Sequence, residues 1–435
     1  MKEKSTKNQM DNELLRNRMQ LKMVEEMTGL YQSEEKIRRA MSDGQKKLIR
    51  LGLLLLLLLV ISLFFVPYGL ISTPVSEGFS LPRFGMTPAT YRILVIERVS
   101  SFFSFITASG SFGMGRVIFS LLVTILAGSA MSAAGAVYQG VFTNPMASPT
   151  TLGVQSGGML AGILYIWFFY DTAAVGSAVV NGDSSFTEIT ANELIAYWQS
   201  MSVFQRCAQQ FFTLAGCFAG VALVVGIAMM AGRGKISTVA LLLAGSVFSS
   251  LITEVGQLVQ YYLTTYSEDD LRVSAINTLI GGSYIGDGFT WYEFVFMLVP
   301  CGICFFILFS LAGKLNIMVF GADEAKAMGV NVTGFRNLMI VASTILSAVV
   351  LSFCGQVAMV GFMIPHFARY LVGPDFRKLI PASVLLGGFT TLLIYDVCYI
   401  TAQLGRFNLY TGIVCSVMSV FFFAFFRRNR NADWS

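Results

Sequence analysis

The chain has 435 residues, 55% of them hydrophobic and 13% charged, with a formal net charge of +5. Its mean hydropathy of +0.66 and its apolar runs of about 20 residues, the length that spans a bilayer, exclude a soluble multidomain enzyme and indicate an integral membrane protein. The positive charge is no evidence for nucleic acid binding, because basic residues also set membrane topology and attract lipid headgroups.

Polar residues precede the first apolar run. Residues 1–45 carry apolar side chains at roughly helical spacing, which predicts either an amphipathic helix at a membrane or partner surface or a solvated, partly disordered extension. The run "LGLLLLLLLVISLFFV" at 51–66 is not followed by a small-residue cleavage site. It is therefore predicted to remain as the first membrane helix and not to be removed as a signal peptide.

Uncharged stretches along the chain predict an all-α membrane protein with about ten spans, in a transmembrane domain at 46–428 with a cytoplasmic tail at 429–435. An outer loop is predicted at 171–207, where "VNGDSS" signals a turn, and an inner segment at 313–335. The predicted spans lie near 49–70, 117–140, 151–170, 209–231, 238–263, 292–312, 337–354, 356–371, 380–400 and 409–426.

Basic residues near the span ends predict that both termini are cytoplasmic, because Lys and Arg are retained on the inner side of a membrane. With ten spans and an inner N-terminus, fourteen Lys and Arg residues after residue 45 fall on the inner flanks. The seven on the outer flanks are Arg83, Arg92, Arg98, Arg116, Arg206, Arg272 and Arg406.

The stretch "GAVYQGVFTNPMASPTTLGVQSGG" at 135–158 interrupts one of the apolar regions. Pro145 and Pro149 lack the amide donor and restrict the residue before them, so one helix is predicted to stop near Gly140 and another to restart near Leu152. Backbone groups left free in lipid are costly, so such a break is tolerated where it is packed in protein or lines an aqueous cavity. A ligand pathway and a tight helix–helix corner both fit.

The sequence offers little for metal or nucleotide binding. The seven cysteines fall mostly in apolar segments, where a free thiol behaves as a small hydrophobe. Cys301 and Cys304 have the spacing of a redox or metal pair, but they lie within a predicted span and the chain has one histidine to complete a metal site. "GRGKIS" at 232–237 departs from the P-loop pattern at Met229 and Ile236. We predict that this chain binds neither a metal nor ATP.

Glu254, Asp396 and His366 lie within predicted spans. Glu254 and Asp396 would each cost about 2.5–3.5 kcal/mol if unpaired in lipid, and they would be the ion carriers of a secondary transporter. His366 is predicted to be structural, bonding to backbone that Pro365 leaves free. An intramembrane enzyme is disfavoured, because one histidine and two isolated carboxylates provide no paired catalytic groups.

Five motifs, in a fixed order, resemble the iron-chelate, haem and vitamin B12 importer permeases of the ABC superfamily. The resemblance covers about 49–428 and implies the bundle of the vitamin B12 importer permease, with an inverted repeat. A weak internal echo agrees with such a repeat, since two glycine-spaced helices are each predicted to end at a proline, Pro145 in one half and Pro365 in the other. The motifs are the 135–158 stretch, "LLLAGSVFSSLIT" at 241–253, "IGGSYIGDGFTW" at 280–291, "LNIMVFGADEAKAMGVNV" at 315–332 and "GQVAMVGFMIPHFARYLVGPDFRKLIPASVLLGG" at 355–388.

The resemblance implies a non-catalytic permease subunit of an ATP-driven importer for an iron-siderophore, haem or corrinoid chelate. Two permeases, identical copies or paralogues, would pair around a pathway in the cell membrane. Two cytoplasmic ABC ATPases carrying ATP and Mg²⁺, and an extracytoplasmic substrate-binding protein, would complete the transporter. The alternative is an ion-coupled secondary transporter that uses Glu254 or Asp396.

The resemblance also implies three sites. Arg116 and Arg406 are the nearest outer charges left for docking the binding protein, since the family's outer arginine motifs are largely altered here. The break would line the pathway through Asn144, Pro145, Met146, Ala147 and Pro149, although Ser148 replaces the family's acidic residue. The segment that enters a groove of the ATPase, with small Ala325 and Ala327 allowing close approach, would comprise Gly321, Ala322, Asp323, Glu324, Ala325, Lys326, Met328 and Gly329.

Overall fold

The structure is a computed structural model that describes residues 44–62, 114–169, 203–231, 238–262, 291–357 and 359–403, with a few isolated positions at 265 and 414–420. The chain divides into two units, Met1–Arg50 and Leu51–Ser435. In the first unit, the described residues 44–50 are helical. Residues 1–43 of the predicted extension, residues 171–202 of the predicted outer loop and the tail at 429–435 lie outside the described residues.

The second unit is helical throughout most of its described part. It opens with helical residues 51–62, α1. The helices that follow are α2 (Met114–Val141), α3 (Val154–Phe169), α4 (Val203–Ala231), α5 (Thr238–Tyr262), α6 (Trp291–Val319), α7 (Ala322–Ala327), α8 (Val332–Cys354), α9 (Val360–Val372) and α10 (Phe376–Gln403).

Five of these helices, α2, α4, α6, α8 and α10, are long and apolar enough to cross a membrane. No strand occurs among the described residues. The prediction of an all-α membrane protein is confirmed. The number of about ten spans stays a prediction, because most of the span expected at 409–426 lies outside the described residues.

Three helices extend past their predicted inner ends. We placed those ends at basic residues, but Lys314, Arg336 and Arg377 lie inside α6, α8 and α10. A long basic side chain can pack its stem on apolar surface and still reach water with its charged end, so the helix need not stop at it. The non-helical part of the inner segment predicted at 313–335 is correspondingly short.

Small residues let the helices approach closely around α2. A Cβ added at Gly128 of α2 would lie against the carbonyl oxygen of Gly387 in α10, and one added at Gly135 would overlap the carbonyl oxygen of Gly361 in α9. Close approach of backbones through small residues is the usual way in which membrane helices associate. The glycines therefore fix α2 between α9 and α10.

The second proline of the internal echo does not end a helix. Pro365 lies inside α9, and the interruption falls earlier, between α8 and α9. Gly355 ends α8 with φ of +71°, and Met359 precedes α9 with φ of +64°. The prediction that a helix in each half ends at a proline is therefore wrong. The second break is formed by left-handed backbone positions and not by the proline.

Candidate functional site

The predicted break between α2 and α3 is confirmed. α2 ends at Val141 and α3 begins at Val154, and the chain between them bonds to itself. The Asn144 amide donates to the carbonyl of Gln139 at 3.1 Å, and Asn144 Oδ1 accepts from the Met146 amide at 2.8 Å. The asparagine side chain thus replaces a turn of helix and satisfies backbone that the prolines leave unpaired.

Ser148 stabilises the second half of the break. Its amide donates to Thr151 Oγ1 at 2.9 Å, and its carbonyl accepts from the same hydroxyl at 2.9 Å. Its own hydroxyl lies 2.7 Å from Thr150 Oγ1. Ser148 is 2% exposed, so the residue that replaces the family's acidic side chain acts here as a buried turn former.

Three side-chain hydrogen bonds attach α9 to the end of α2 and to the break. Gln139 Nε2 donates to the carbonyl of Phe362 at 3.2 Å, and Arg369 Nη2 donates to Gln139 Oε1 at 3.4 Å. His366 Nε2 lies 2.9 Å from the carbonyl oxygen of Pro145. Because that oxygen only accepts, Nε2 carries the proton in this contact.

The structural role predicted for His366 is confirmed, but its partner is not the one we expected. The imidazole bonds to the carbonyl of Pro145, 221 positions away. Nothing in a single sequence indicates which remote carbonyl a histidine will meet. This bond was therefore missed.

The break has an exposed tip and a buried second part that leads into α3. Met146 is 57% exposed and Pro145 is exposed, with Asn144 half-buried beside them. Ala147 is 0% exposed and Pro149 is buried. Of the five residues predicted to line the pathway, three are at least partly exposed, namely Asn144, Pro145 and Met146. The other two are buried within the chain.

The segment between α6 and α8 is built around the six-residue helix α7. Gly321 precedes α7 with φ of +129°, and Gly329 follows it with φ of +81°. The Gly329 amide donates to the carbonyl of Lys326 at 2.9 Å, and the Val330 amide donates to that of Ala325 at 3.0 Å. Gly329 therefore follows the end of α7 with a positive φ, as glycine commonly does at a helix C-terminus.

Ala325 does not lie where we expected it. It is 0% exposed, because α7 turns this residue towards its own chain. The exposed residues of the segment are Ala322, Asp323, Glu324, Lys326, Ala327, Met328 and Gly329, with Phe320 beside them at 73% exposure and Met328 itself at 62%. The prediction that Ala325 allows close approach to a partner is therefore wrong. A six-residue helix must bury one face to be held in place, and Ala325 lies on that face.

The break and the α7 segment lie at the same end of the helix bundle. A Cβ at Gly140, near the end of α2, would contact the Phe376 ring and Leu315 Cδ2 at 2.6 and 3.0 Å. Phe376 begins α10, and Leu315 lies four residues before the end of α6. The ends of α2 and α6 and the start of α10 therefore meet at Gly140.

A hydrogen-bond network joins α6 to α10 at this end. Asn316 Nδ2 donates to Asp375 Oδ1 at 2.6 Å, and Asn316 Oδ1 accepts from the Phe376 amide at 2.9 Å. Asp375 Oδ1 also accepts from the Arg377 amide at 3.0 Å, which caps the start of α10. Sequence reasoning missed Asn316 and Asp375, although Asp before a helix start is a recognisable N-cap signal.

The remaining predicted residues are placed as follows. Asp396 is 7% exposed and accepts a hydrogen bond from Ser62 Oγ in α1 at 2.5 Å, so this carboxylate has a polar partner within the bundle. Glu254 is exposed on α5. Arg116 lies in the first turn of α2, but its side chain, like the whole of Arg406, is outside the described residues.

No metal site forms among the described residues. No group of three or more His, Cys, Asp or Glu side chains in that part of the chain could hold an ion. Cys301, Cys304 and Cys354 are buried in α6 and α8 with free thiols. That the chain binds no cofactor of its own stays a prediction.

Comparison with known proteins identifies the family of this chain. Residues 54–429 match the FecCD transport family. A probable siderophore transport system permease protein of Bacillus subtilis, YfhA, is 31% identical over 65% of this chain and 71% of its own length. The cobalamin import system permease protein BtuC of Halobacterium salinarum is 27% identical over 74% of this chain and 73% of its own.

Two further similarities widen the range of relatives. The molybdate import system permease protein MolB of Haemophilus influenzae is 29% identical over 64% of this chain and 70% of its own. A solved inward-facing structure of a metal-chelate type ABC transporter has a TM-score of 0.61 and 24% identity, covering 88% of this chain and 99% of that one. This structural likeness shows the fold. The chain belongs to the FecCD transport family and is a multi-pass membrane permease.

Proposed function

We propose that this permease is the membrane subunit of an ATP-driven importer for a metal chelate of the iron-siderophore, haem or corrinoid type. It contributes the pathway by alternating access and performs no catalysis itself. Two cytoplasmic ABC ATPases hydrolyse ATP, an extracytoplasmic binding protein delivers the cargo, and a second permease, identical or paralogous, completes the pathway. Both termini are cytoplasmic.

One observation carries the proposal: the exposed tip of the break and the α7 segment lie at one end of the bundle and are connected there. Phe376 and Leu315 pack on Gly140, immediately before the break, and Asn316 bonds to the start of α10. A displacement of α7 by a partner would therefore be transmitted to the residues that precede Met146. The siderophore and cobalamin permeases among the relatives support the cargo class.

The exposed apolar side chains of the α7 segment indicate how the ATPase is held. Phe320 and Met328 are 73% and 62% exposed at the end of the bundle. We infer that a partner covers these two side chains, because exposed apolar surface can mark an interaction site. The ion pair between Lys326 Nζ and Asp323 Oδ1, at 3.4 Å, is exposed on both sides and adds little by itself.

The proposal is tested by purifying the chain from its native membrane in mild detergent and identifying the proteins that accompany it. Met328→Asp should remove the ATPase, because a carboxylate would be desolvated in the contact. Met328→Leu, which keeps the apolar volume, should retain it. The variant proteins should be equally abundant in the membrane, since position 328 is exposed in the single chain.

Energy coupling separates the proposal from its alternative. Uptake should stop when vesicles are depleted of ATP, even if an ion gradient is maintained across the membrane. Uptake that persists in such vesicles would instead establish an ion-coupled secondary transporter. The hydrogen bond between Asp396 and Ser62 already gives this carboxylate a structural partner within the bundle, which weakens its candidacy as an ion carrier.

A further inference from the structure

Two basic side chains lie next to each other where α6 meets α10. The Arg377 guanidinium, from the first turn of α10, lies over Gly313 of α6, where an added Cβ would be 2.8 Å from Nη2 and 3.0 Å from Nε. Lys314 is the next residue of α6, and both basic side chains are exposed. We call Lys314 and Arg377 the α6–α10 basic pair.

The basic pair lies at a boundary of the membrane. The apolar span of α6 begins at Phe294, 20 residues before Lys314. At 1.5 Å per residue this is about 30 Å along the helix axis, which is the thickness of the hydrocarbon core. The basic pair is therefore placed where the acyl chains of the lipid end and the headgroups begin.

An exposed apolar stripe of α6 leads through the membrane to the basic pair. At about 100° per residue, its members and Lys314 fall within an arc of about 80° on the helix. Such a surface faces the acyl chains of the lipid. The stripe consists of Phe296, Val299, Ile303 and Phe306, which are 55%, 54%, 58% and 74% exposed.

The basic pair has no counter-ion within the described part of the chain. No carboxylate there forms an ion pair with Lys314 or Arg377 within 4 Å. The carboxylate of Asp375, close by in the sequence, accepts instead from Asn316 Nδ2 at 2.6 Å and from the Arg377 amide at 3.0 Å. Like charges held close together disfavour each other, so an anion bound between them would be stabilised.

A further polar group lies between the basic pair and the apolar stripe. Ser310, one turn before Lys314, is exposed, and among the described residues its hydroxyl has no hydrogen-bond partner. From the membrane interior outwards, α6 thus presents apolar side chains, then a hydroxyl and then the basic pair. This is the order of acyl chain, ester and phosphate in a phospholipid.

We infer that the basic pair binds the phosphate of an anionic phospholipid of the inner leaflet, whose acyl chain lies along the apolar stripe of α6. The planar guanidinium of Arg377 can donate to two phosphate oxygens, and Lys314 adds a second positive charge. The Ser310 hydroxyl can donate to an ester carbonyl. The inference rests on the proposed function, which places this end of the bundle on the cytoplasmic side, where basic pockets between membrane helices bind anionic headgroups.

Native mass spectrometry of the full chain in mild detergent tests the inference. The chain is titrated with phosphatidylglycerol and with phosphatidylcholine of the same acyl chains, and with glycerol phosphate as an anion that has no acyl chain. The charge variant combines Lys314→Gln with Arg377→Gln. Gly313→Ala displaces the Arg377 guanidinium without removing its charge. Lys326→Gln, at an exposed lysine of α7, is the matched control.

The chain should bind phosphatidylglycerol more tightly than phosphatidylcholine. Each basic residue near an anionic headgroup contributes about fivefold in affinity. The charge variant should therefore bind phosphatidylglycerol about 25-fold more weakly and phosphatidylcholine unchanged. Gly313→Ala should lose about fivefold for phosphatidylglycerol, and Lys326→Gln should lose nothing.

Four results would overturn the inference. Equal binding of the two lipids, or an equal loss in Lys326→Gln, would mean that no anionic lipid site exists here. Full affinity in Gly313→Ala would mean that the position of the guanidinium is irrelevant. Glycerol phosphate that binds as tightly as phosphatidylglycerol would identify a site for a soluble anion.

The fourth result concerns the ATPase. If the charge variant kept its lipid affinity but lost the ATPase on purification, the basic pair would belong to the ATPase contact. Loss of lipid selectivity with the ATPase retained leaves the proposed function intact. The Met328→Asp test of the proposed function does not depend on lipid binding, so failure of one proposal is distinguishable from failure of the other.

Discussion

Gly135→Ala tests the contact between α2 and α9, on which the position of the break depends. A Cβ at position 135 would overlap the carbonyl oxygen of Gly361. Both contacting groups are backbone or directly attached to it, so no side-chain rotation relieves the overlap and the helices must separate. Separation would also strain the bond from Gln139 to Phe362, one turn further along α2.

The packing cost of Gly135→Ala can be estimated by comparison with a matched variant. Gly226 lies inside α4, with nothing within 4 Å of an added Cβ. Gly226→Ala therefore gains helix propensity, up to about 1 kcal/mol, without any overlap. Gly135→Ala gains the same propensity but has the overpacking cost of about 1–3 kcal/mol. The difference between the two variants isolates that cost.

The assay is thermal unfolding of both purified variants in the same detergent, followed by the loss of the monodisperse peak in size-exclusion chromatography. With an unfolding entropy of about 2.1 cal/mol/K per residue, the transition of a chain of 435 residues shifts by about 1 °C per kcal/mol. Gly135→Ala should therefore unfold about 1–3 °C below Gly226→Ala. Equal transition temperatures would mean that α2 and α9 do not touch through their backbones. The description of the break as fixed by α9 would then fail.

Three further predictions concern the contacts around the break and the α7 segment. Ala325→Arg should disrupt the α7 segment within its own chain, so limited proteolysis near residue 325 should increase even with no ATPase present; unchanged cleavage would return Ala325 to the partner surface. His366→Ala should lower the unfolding free energy by about 0.5–1.5 kcal/mol, because the hydrogen bond to the Pro145 carbonyl is lost, and His366→Gln should lose less; equal losses would argue against the bond. Asn316→Leu should leave ATP hydrolysis intact and reduce cargo uptake per ATP hydrolysed, and an unchanged ratio would show that the α6–α10 network does not transmit motion.

Local chemistry explains which elements could be predicted. Pro145 and Pro149 cannot continue a helix, so the break was evident, and Gly329 ends a helix for the same kind of backbone reason. α3 and α5 agree with the predicted spans to within three residues at each end, because no basic residue lies within them. The predicted spans were too short beside the basic residues: α6 ends later than expected, and α8 and α10 begin earlier. Lys314, Arg336 and Arg377 do not bound these helices, because a basic side chain can extend to water from within a helix.

Contacts between distant parts of the chain could not be predicted. That Ala325 faces inwards depends on how α7 sits between α6 and α8, and the helical period alone does not say which face of a six-residue helix is covered. The bond between His366 and Pro145 and the contact of Phe376 with Gly140 likewise join segments more than 200 residues apart. Such contacts depend on the packing of the whole bundle and cannot be predicted from local sequence.

The burial of Ala325 affects how fast a partner can bind. A helix of six residues is too short to persist alone in water, yet α7 is anchored by its inward face and bounded at both ends by glycines with positive φ. Its outward side chains therefore hold their arrangement before any partner arrives. Association then costs little ordering entropy, so its rate should be set by diffusion and orientation and not by folding of the segment.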